Sequence, residues 1–130
     1  MAYLKYKELT KYFYFYNELD VNDLPKYVLD YLEPTEVVLA AYSTKRDKGL
    51  FTNKKILLFD VKLGTKQIHM IPYKSISTLA ILFKMKSASI LGFMDSGYPI
   101  DLKFINLNSN DKVKLRILYN QIAEKVNNKK

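Results

Sequence analysis

The sequence predicts a single, mainly β domain that folds as a small barrel or sandwich and is closed by a C-terminal helix. The chain has 130 residues, a common size for one domain, and 48% of them are hydrophobic, enough for a core without disulfides or metals. From Glu36 onwards, short apolar runs alternate with turns, a pattern typical of antiparallel strands. After residue 108, apolar side chains recur with a helical period.

The N-terminal segment is dense in aromatic residues and is predicted to be helical. With a helical period, one face carries Tyr6, Leu9, Tyr12, Phe13 and Tyr16. The surrounding letters KYKELTK are compatible with a helix, although a period of two would make the same residues a strand. We therefore predict an N-terminal helical extension over residues 1–33 and a β domain over residues 34–128, which together form one folding unit.

The remaining elements follow in order along the chain. Asn22 or Asp23 is expected to cap a second helix that has Pro25 in its first turn. About seven strands are predicted between residues 37 and 106, separated by short turns. The last helix is expected to begin near residue 109. Its buried face is predicted to carry Leu115, Leu118, Tyr119, Ile122 and Val126.

Charge is distributed unevenly along the chain. The net charge is +8 and the isoelectric point is near 9.5. Residues 1–35 hold four lysines and six acids, a net −2, whereas residues 36–130 hold seventeen basic and seven acidic side chains, a net +10. The basic body favours an anionic partner such as phospholipid, nucleic acid or an acidic protein surface. The alternative is that the excess of lysine only keeps the protein soluble.

No targeting segment or membrane span is recognised in the sequence. The first residues lack the uncharged apolar core of a secretory signal, and no apolar run approaches the roughly 18 residues of a spanning helix. We therefore expect a cytoplasmic protein, with a peripheral position at the inner face of the membrane as the second expectation.

No residue pattern in the sequence points to catalysis. Cysteine is absent and His69 is the single histidine, so neither a catalytic triad nor a metal site of nitrogen and sulfur ligands can be assembled. The four glycines form no phosphate-binding loop. We therefore predict a protein that is not an enzyme, with no catalytic residue, no metal, no cofactor and no small-molecule substrate.

Two predicted turns carry the candidate residues for binding an anion or a lipid headgroup. These are Lys45, Arg46 and Lys48 in the first turn and Lys54 and Lys55 in the next. Arginine offers phosphate a planar fork of donors, and lysine offers a point charge. The structural alternative is that these residues form ordinary hairpin turns, in which lysine protects strand edges from aggregation.

The aromatic N-terminal face is a candidate surface for a protein partner or for a second copy of the chain. Its candidate residues are Leu9, Tyr12, Phe13 and Tyr16. Aromatic side chains are enriched in protein interfaces, whereas acidic neighbours such as Glu18 argue against contact with anionic lipid.

A second basic group lies further along the chain, at Lys84 and Lys86. In a strand these lysines share one solvated face, and Phe83 and Met85 are then expected to face the core.

Several short motifs of the sequence resemble those of the bacterial pleckstrin-homology (PH)-like domain family. They are Glu36, Arg46-Asp47, FTNKK (51–55) running into ILLFD, Gly64-Thr65-Lys66, and IPYKSIS (71–77). The resemblance covers about residues 34–106, with the last helix in the expected place. It implies two nearly orthogonal antiparallel sheets capped by a C-terminal helix, in small, cytoplasmic, non-enzymatic proteins that tend to associate into rings. In eukaryotic relatives of the fold, basic residues of the first hairpins hold phosphoinositide headgroups.

The chain departs from the family after IPYKSIS. A stretch that contains an acid and a glycine is common there in the family, whereas TLAILFKMKSASILGF has no acid until Asp95. Any surface built from this stretch is therefore changed.

Together these observations predict a non-catalytic PH-like binding module, foremost a self-associating scaffold for protein–protein interaction. The interface is expected in the aromatic segment or at an exposed sheet edge. The alternative is a peripheral membrane module that binds anionic phospholipid headgroups through the basic turns. Nucleic acid is the least favoured partner, because no RNA-binding signature accompanies the positive charge.

Overall fold

The computed structural model, which describes residues 14–62 and 64–128, shows two β-sheets and a C-terminal helix. The strands are β1 Tyr14–Phe15, β2 Asn17–Leu19, β3 Val38–Ser43, β4 Lys48–Thr52, β5 Lys55–Lys62, β6 Thr65–Pro72, β7 Ile76–Phe83, β8 Ala88–Met94 and β9 Pro99–Phe104. The helices are α1 Lys26–Leu29 and α2 Ser109–Asn127, with 3-10 turns at Val21–Asp23 and Tyr73–Ser75.

The strands form two sheets of four and five strands. The four-stranded sheet has the spatial order β1-β9-β8-β7, and the five-stranded sheet has the order β2-β3-β4-β5-β6. Neighbouring strands are antiparallel except for β1 and β9, which run parallel. The predicted two-sheet architecture with a C-terminal helix is confirmed, with nine strands described where about seven were expected.

The two additional strands come from a part of the N-terminal segment that was predicted to be helical. β1 pairs with β9 and β2 pairs with β3, so residues 14–19 add one strand to each sheet. Phe15 is buried between exposed Tyr14 and Tyr16, which is the alternation of a strand. The helix prediction is therefore wrong for residues 14–19, because pairing with distant strands outweighs local helix propensity. Leu9, Tyr12 and Phe13 lie outside the described residues.

The inner core lies between the two sheets and α2. Alternation along the strands directs Phe51, Ile56, Leu58 and Phe104 to this side. Helix α2 closes the core with Leu115, Leu118, Ile122 and Val126, four of the five residues predicted for its buried face.

The fifth predicted residue of that face, Tyr119, is partly buried, and its hydroxyl donates to the Leu79 carbonyl at 3.0 Å. The helix begins with a capping box in which Asn108 and Asp111 each accept from the other's backbone N–H. The Tyr119 hydrogen bond joins α2 to β7, and the capping box fixes the start of the helix.

A second apolar core lies on the outer face of the five-stranded sheet. The sheet contributes Ala41, Leu50, Leu57 and Phe59, and residues 19–32, named here the cover segment, pack Leu24 and Val28 against them. The rings of Tyr27 and Tyr31 make edge contacts with Phe59 at 6.0 and 5.8 Å. The cover segment therefore shields this face from water, while the division of the chain after residue 33 stays a prediction.

The second predicted helix is shorter than expected. The cover segment forms a 3-10 turn over Val21–Asp23 and then α1, with Pro25 between them in an extended conformation. The capping residue of the turn is Asp20, which accepts from the Asn22 backbone N–H at 2.9 Å, and not Asn22 or Asp23. Pro25 precedes the first turn of α1 because its extended backbone separates the two pieces.

None of the helices described is both long and apolar enough to cross a lipid bilayer.

Candidate functional site

Lys54 and Lys55 lie in a network of ion pairs at the turn between β4 and β5. The Lys55 ammonium is 2.7 Å from a Glu36 carboxylate oxygen and 3.7 Å from Glu33, and the Lys54 ammonium is 2.9 Å from Glu33. The Glu36 side chain has 0% exposure and that of Lys55 has 9%. The chain's own carboxylates thus already neutralise these two lysines.

Glu36 is held in its ionised form by its surroundings. Burial by itself raises the pKa of this carboxyl, but hydrogen bonds from Lys55, from the Thr52 hydroxyl and from the Glu33 backbone N–H outweigh that effect. The pKa of Glu36 consequently lies below its usual value. Its role is that of a buried electrostatic anchor for the turn.

Residues of the motifs FTNK (51–54) and IPYK (71–74) stabilise this same turn through hydrogen bonds. The Asn53 side-chain oxygen accepts from the Val37 backbone N–H at 2.9 Å, and the Asn53 backbone N–H donates to the Val37 carbonyl at 2.9 Å. The buried Tyr73 hydroxyl donates to the Thr52 carbonyl at 2.8 Å. These bonds join the β4–β5 turn to the chain entering β3 and to the 3-10 turn after β6.

Lys45, Arg46 and Lys48 lie at the opposite end of β4. Lys48 pairs with Ser43 and Phe59 at that end, whereas the network lies where β5 begins. The five predicted anion ligands therefore fall into two separate groups, and the first three are the ones that share a turn with each other.

The first group is free of ion pairs among the described residues. Lys45 and Arg46 are exposed in a turn that is closed by the Thr44 hydroxyl, which accepts from the Asp47 N–H at 2.9 Å. The Tyr27 ring of the cover segment lies between two ammonium groups, 5.5 Å from Lys48 and 4.4 Å from Lys66. At this end of the sheet two ammonium groups thus lie near one aromatic ring, and the exposed Lys45 and Arg46 belong to the neighbouring turn.

An open groove of about 650 Å³ lies beside the ion-pair network. Its lining includes the basic residues Lys54, Lys55, Lys74 and Lys125 and the acidic residues Glu33 and Glu124. Because Lys54 and Lys55 are paired with Glu33 and Glu36 and the C-terminus of α2 adds partial negative charge, the positive charge available to an anion in this groove is reduced.

Among the described residues, the outer face of the four-stranded sheet is partly exposed and combines apolar with polar side chains. It carries Thr78, Ala80 and Leu82 from β7, Ser89, Leu91 and Phe93 from β8, and Pro99, Asp101 and Lys103 from β9. We name this set the open sheet face. Phe93 is 54% exposed and Leu82 is 46% exposed. Sequence reasoning did not single these residues out, although the acid-free stretch before Asp95 was the signal that could have found them.

The tip of the β7–β8 hairpin differs from expectation. Met85 was predicted to face the core beside Phe83, but it is 87% exposed, and Phe83 is 40% exposed. The cause is that β7 ends at Phe83 and the following residues form a turn, closed by the Lys84 N–H donating to the Ser87 carbonyl at 2.8 Å. Strand alternation therefore does not extend to Met85.

His69 lies on β6, with its ring stacked on that of Tyr98 at 5.9 Å. Burial lowers the pKa of its imidazole, which favours the neutral form. Within residues 14–62 and 64–128, no three side chains of the metal-binding types lie together.

Comparison with known proteins identifies relatives with the same architecture. Residues 9–126 match the bacterial PH domain family. No curated protein sequence matches the chain.

Three solved structures share the fold. A DUF1696 family protein with a pleckstrin-homology domain from Shewanella loihica PV-4 is 23% identical, with a TM-score of 0.64 over 85% of this chain and 96% of that one. A PH-domain-containing protein from Exiguobacterium sibiricum is 17% identical, with a TM-score of 0.64 over 85% of this chain and 61% of the other. The pleckstrin homology domain from Shewanella amazonensis SB2B is 24% identical, with a TM-score of 0.55 over 85% and 90%. With its fold and its sequence match in agreement, the chain belongs to the bacterial PH domain family.

Proposed function

We propose that this bacterial PH domain is a self-associating scaffold in which the open sheet face of one copy contacts a second copy. PH domains are in general non-catalytic interaction modules. The observation that carries the proposal is the contrast between the two sheets. The cover segment buries the apolar outer face of one, whereas the open sheet face leaves Phe93 and Leu82 about half exposed. Contiguous exposed apolar surface commonly marks an interaction site.

The charge of the molecule favours a second copy at this face. Each chain carries a net charge of +8, so two copies repel each other wherever lysine-rich surfaces meet. The open sheet face holds one acid and one base, Asp101 and Lys103, so two copies can approach here with little repulsion. An acidic partner would instead be attracted to the basic turns.

The free edge of β7 adds a second element to the interface. Among the described residues β7 pairs with β8 alone, and the Lys84 N–H points to β8. Alternation of the ladder then directs the backbone groups of Leu79, Ile81 and Phe83 to the opposite side. The Leu79 carbonyl already accepts a hydrogen bond from the Tyr119 hydroxyl. The backbone groups of Ile81 and Phe83 are therefore the ones that a strand of another copy could pair with.

Sedimentation at tens of micromolar protein tests this proposal. We expect wild type to be multimeric, Phe93→Glu to be monomeric, and Ile117→Glu to behave as wild type, because Ile117 is 51% exposed on α2 and outside the interface. Added salt is expected to leave association unchanged or tighten it, because salt screens repulsion between the +8 copies. A monomeric wild type, or a multimer that survives Phe93→Glu, would contradict the proposal.

A second candidate function is binding of anionic phospholipid headgroups by Lys45, Arg46 and Lys48. What favours it is that Lys45 and Arg46 are exposed and outside any ion pair of the described chain. Lys54 and Lys55, proposed at first for the same role, would have to leave Glu33 and Glu36 to join. Such binding would hold a cytoplasmic protein at the inner face of the membrane.

Co-sedimentation with anionic and neutral vesicles tests this second candidate. Lys45→Glu with Arg46→Glu should abolish salt-sensitive binding to the anionic vesicles, whereas Lys74→Glu, an exposed lysine away from this turn, should change it little. If Lys74→Glu weakened binding as much as Lys45→Glu with Arg46→Glu, general attraction by net charge would explain the binding. If Lys45→Glu with Arg46→Glu left binding unchanged, this turn would be excluded as the lipid site.

A further inference from the structure

We propose that the tip of the β7–β8 hairpin inserts into the interfacial region of an anionic lipid bilayer. This inference goes beyond self-association and uses residues separate from Lys45 and Arg46. It begins from Met85, whose side chain is 87% exposed, at a position where nothing in the fold requires an apolar residue. Phe83 beside it is 40% exposed, so the apolar surface extends to the last residue of β7.

The charges around the tip match an anionic surface. Lys84 and Lys86 flank Met85 on either side and are both exposed, and Lys112 from α2 lies against the turn. The hairpin from Ser75 to Met94 contains no acid. The neighbouring acid, Asp111, is engaged in the capping box of α2. An apolar tip in a ring of lysines is the arrangement that combines burial in lipid with attraction to anionic headgroups.

Three backbone carbonyls of the tip already have donors within the protein. The Lys112 ammonium donates to the carbonyls of Lys84 at 2.6 Å and Met85 at 2.5 Å. The Leu107 N–H donates to the Lys86 carbonyl at 2.9 Å. Carbonyl groups left without donors are costly in lipid, and these three carbonyls can enter the interface without that cost.

A fluorescent reporter at the tip tests the proposal directly. The chain has no tryptophan, so Met85→Trp introduces a single indole, and Phe93→Trp places the same reporter on the open sheet face as a control. With vesicles of phosphatidylcholine and phosphatidylserine, we expect the emission of Met85→Trp to shift to shorter wavelength and to be quenched by brominated lipid chains. Phe93→Trp should show neither change, and neither variant should respond to pure phosphatidylcholine.

Loss-of-function variants supply the second measurement. Met85→Ser should weaken binding to the anionic vesicles about tenfold, and Lys84→Glu with Lys86→Glu should weaken it further, because each lysine near such a surface contributes roughly fivefold in affinity. Met85 is exposed, so the folded state should be unchanged, as circular dichroism can verify.

Several results would overturn the proposal. One is a Met85→Trp emission that does not change with anionic vesicles, and another is an equal change at Phe93→Trp. A third is that Lys45→Glu with Arg46→Glu abolishes binding to anionic vesicles while the emission of Met85→Trp does not change when these vesicles are added. In that case the basic turn binds lipid and the hairpin tip does not. If Met85→Ser changes the multimeric state in the absence of vesicles, the tip belongs to the protein interface.

Discussion

Glu36→Gln is expected to destabilise the fold by about 3 kcal/mol at neutral pH. The substitution keeps the size of the side chain but removes the charge that lies 2.7 Å from the Lys55 ammonium, in a side chain with 0% exposure. Breaking a buried ion pair by removing one partner costs roughly 3–5 kcal/mol. The lower end applies here because Glu33, 3.7 Å from the same ammonium, still offers a carboxylate to Lys55.

Urea denaturation measures this loss. With a slope of about 2 kcal/mol per molar urea, the midpoint should fall by roughly 1.5 M. The pH dependence follows from the lowered pKa of Glu36 in the folded state. The contribution of Glu36 is complete above the pKa of an unfolded glutamate, about 4.3, and is lost as the pH falls through the lower folded value. Glu36→Gln should lack this part of the acid sensitivity.

A matched exposed pair provides the control. Lys26 and Asp30 are 3.7 Å apart with side chains 90% and 58% exposed, so Asp30→Asn should change stability by no more than about 0.5 kcal/mol. In addition, Glu36→Gln with Lys55→Met should cost less than the sum of the two single changes. If Glu36→Gln shifted the midpoint no more than Asp30→Asn, the electrostatic role assigned to the network would be refuted.

Three further predictions concern stability and can be measured by the same denaturation assay. Gly49→Ala should cost about 1–3 kcal/mol, because the added Cβ would overlap the buried Phe15 ring, and a Phe15→Leu background should reduce that cost. Tyr73→Phe should cost about 1–2 kcal/mol, because the buried Thr52 carbonyl loses its 2.8 Å hydrogen bond. The stability of the wild type should fall below about pH 6.5, because burial lowers the pKa of the folded His69 imidazole and the unfolded state then binds the proton more readily. His69→Gln should remove this fall. These assignments would be contradicted if the costs of Gly49→Ala and Phe15→Leu were additive, if Tyr73→Phe left the midpoint unchanged, or if His69→Gln left the pH dependence of the midpoint unchanged.

The β domain and the last helix were predictable because their signals are local. Alternation in the stretch Ile100, Leu102 and Phe104 and the helical period from Leu115 to Val126 depend only on neighbouring residues, and both match the structure. The buried face of α2 was predicted almost residue by residue. The resemblance that includes FTNK and IPYK was confirmed at the level of the family.

The N-terminal segment shows where local signals fail. The local pattern around Phe15 favoured a helix over a strand, and the outcome was decided instead by pairing with β9 and β3, which are distant in the sequence. The same is true of Met85. Its neighbours predict a strand, but the end of β7 and the contact of Lys112 with the turn place it outside.

The amino-acid sequence by itself determined the mainly β class, the closing helix, the family and the excess positive charge, because composition, period and turn chemistry are properties of short segments. Only the tertiary structure decided which charges are available to a partner. It placed Lys54 and Lys55 against Glu33 and Glu36, kept Lys45 and Arg46 at the other end of β4, and left Phe93 half exposed within the part of the chain that is described. The physical reason is that ion pairing and burial depend on distances between segments far apart in the chain.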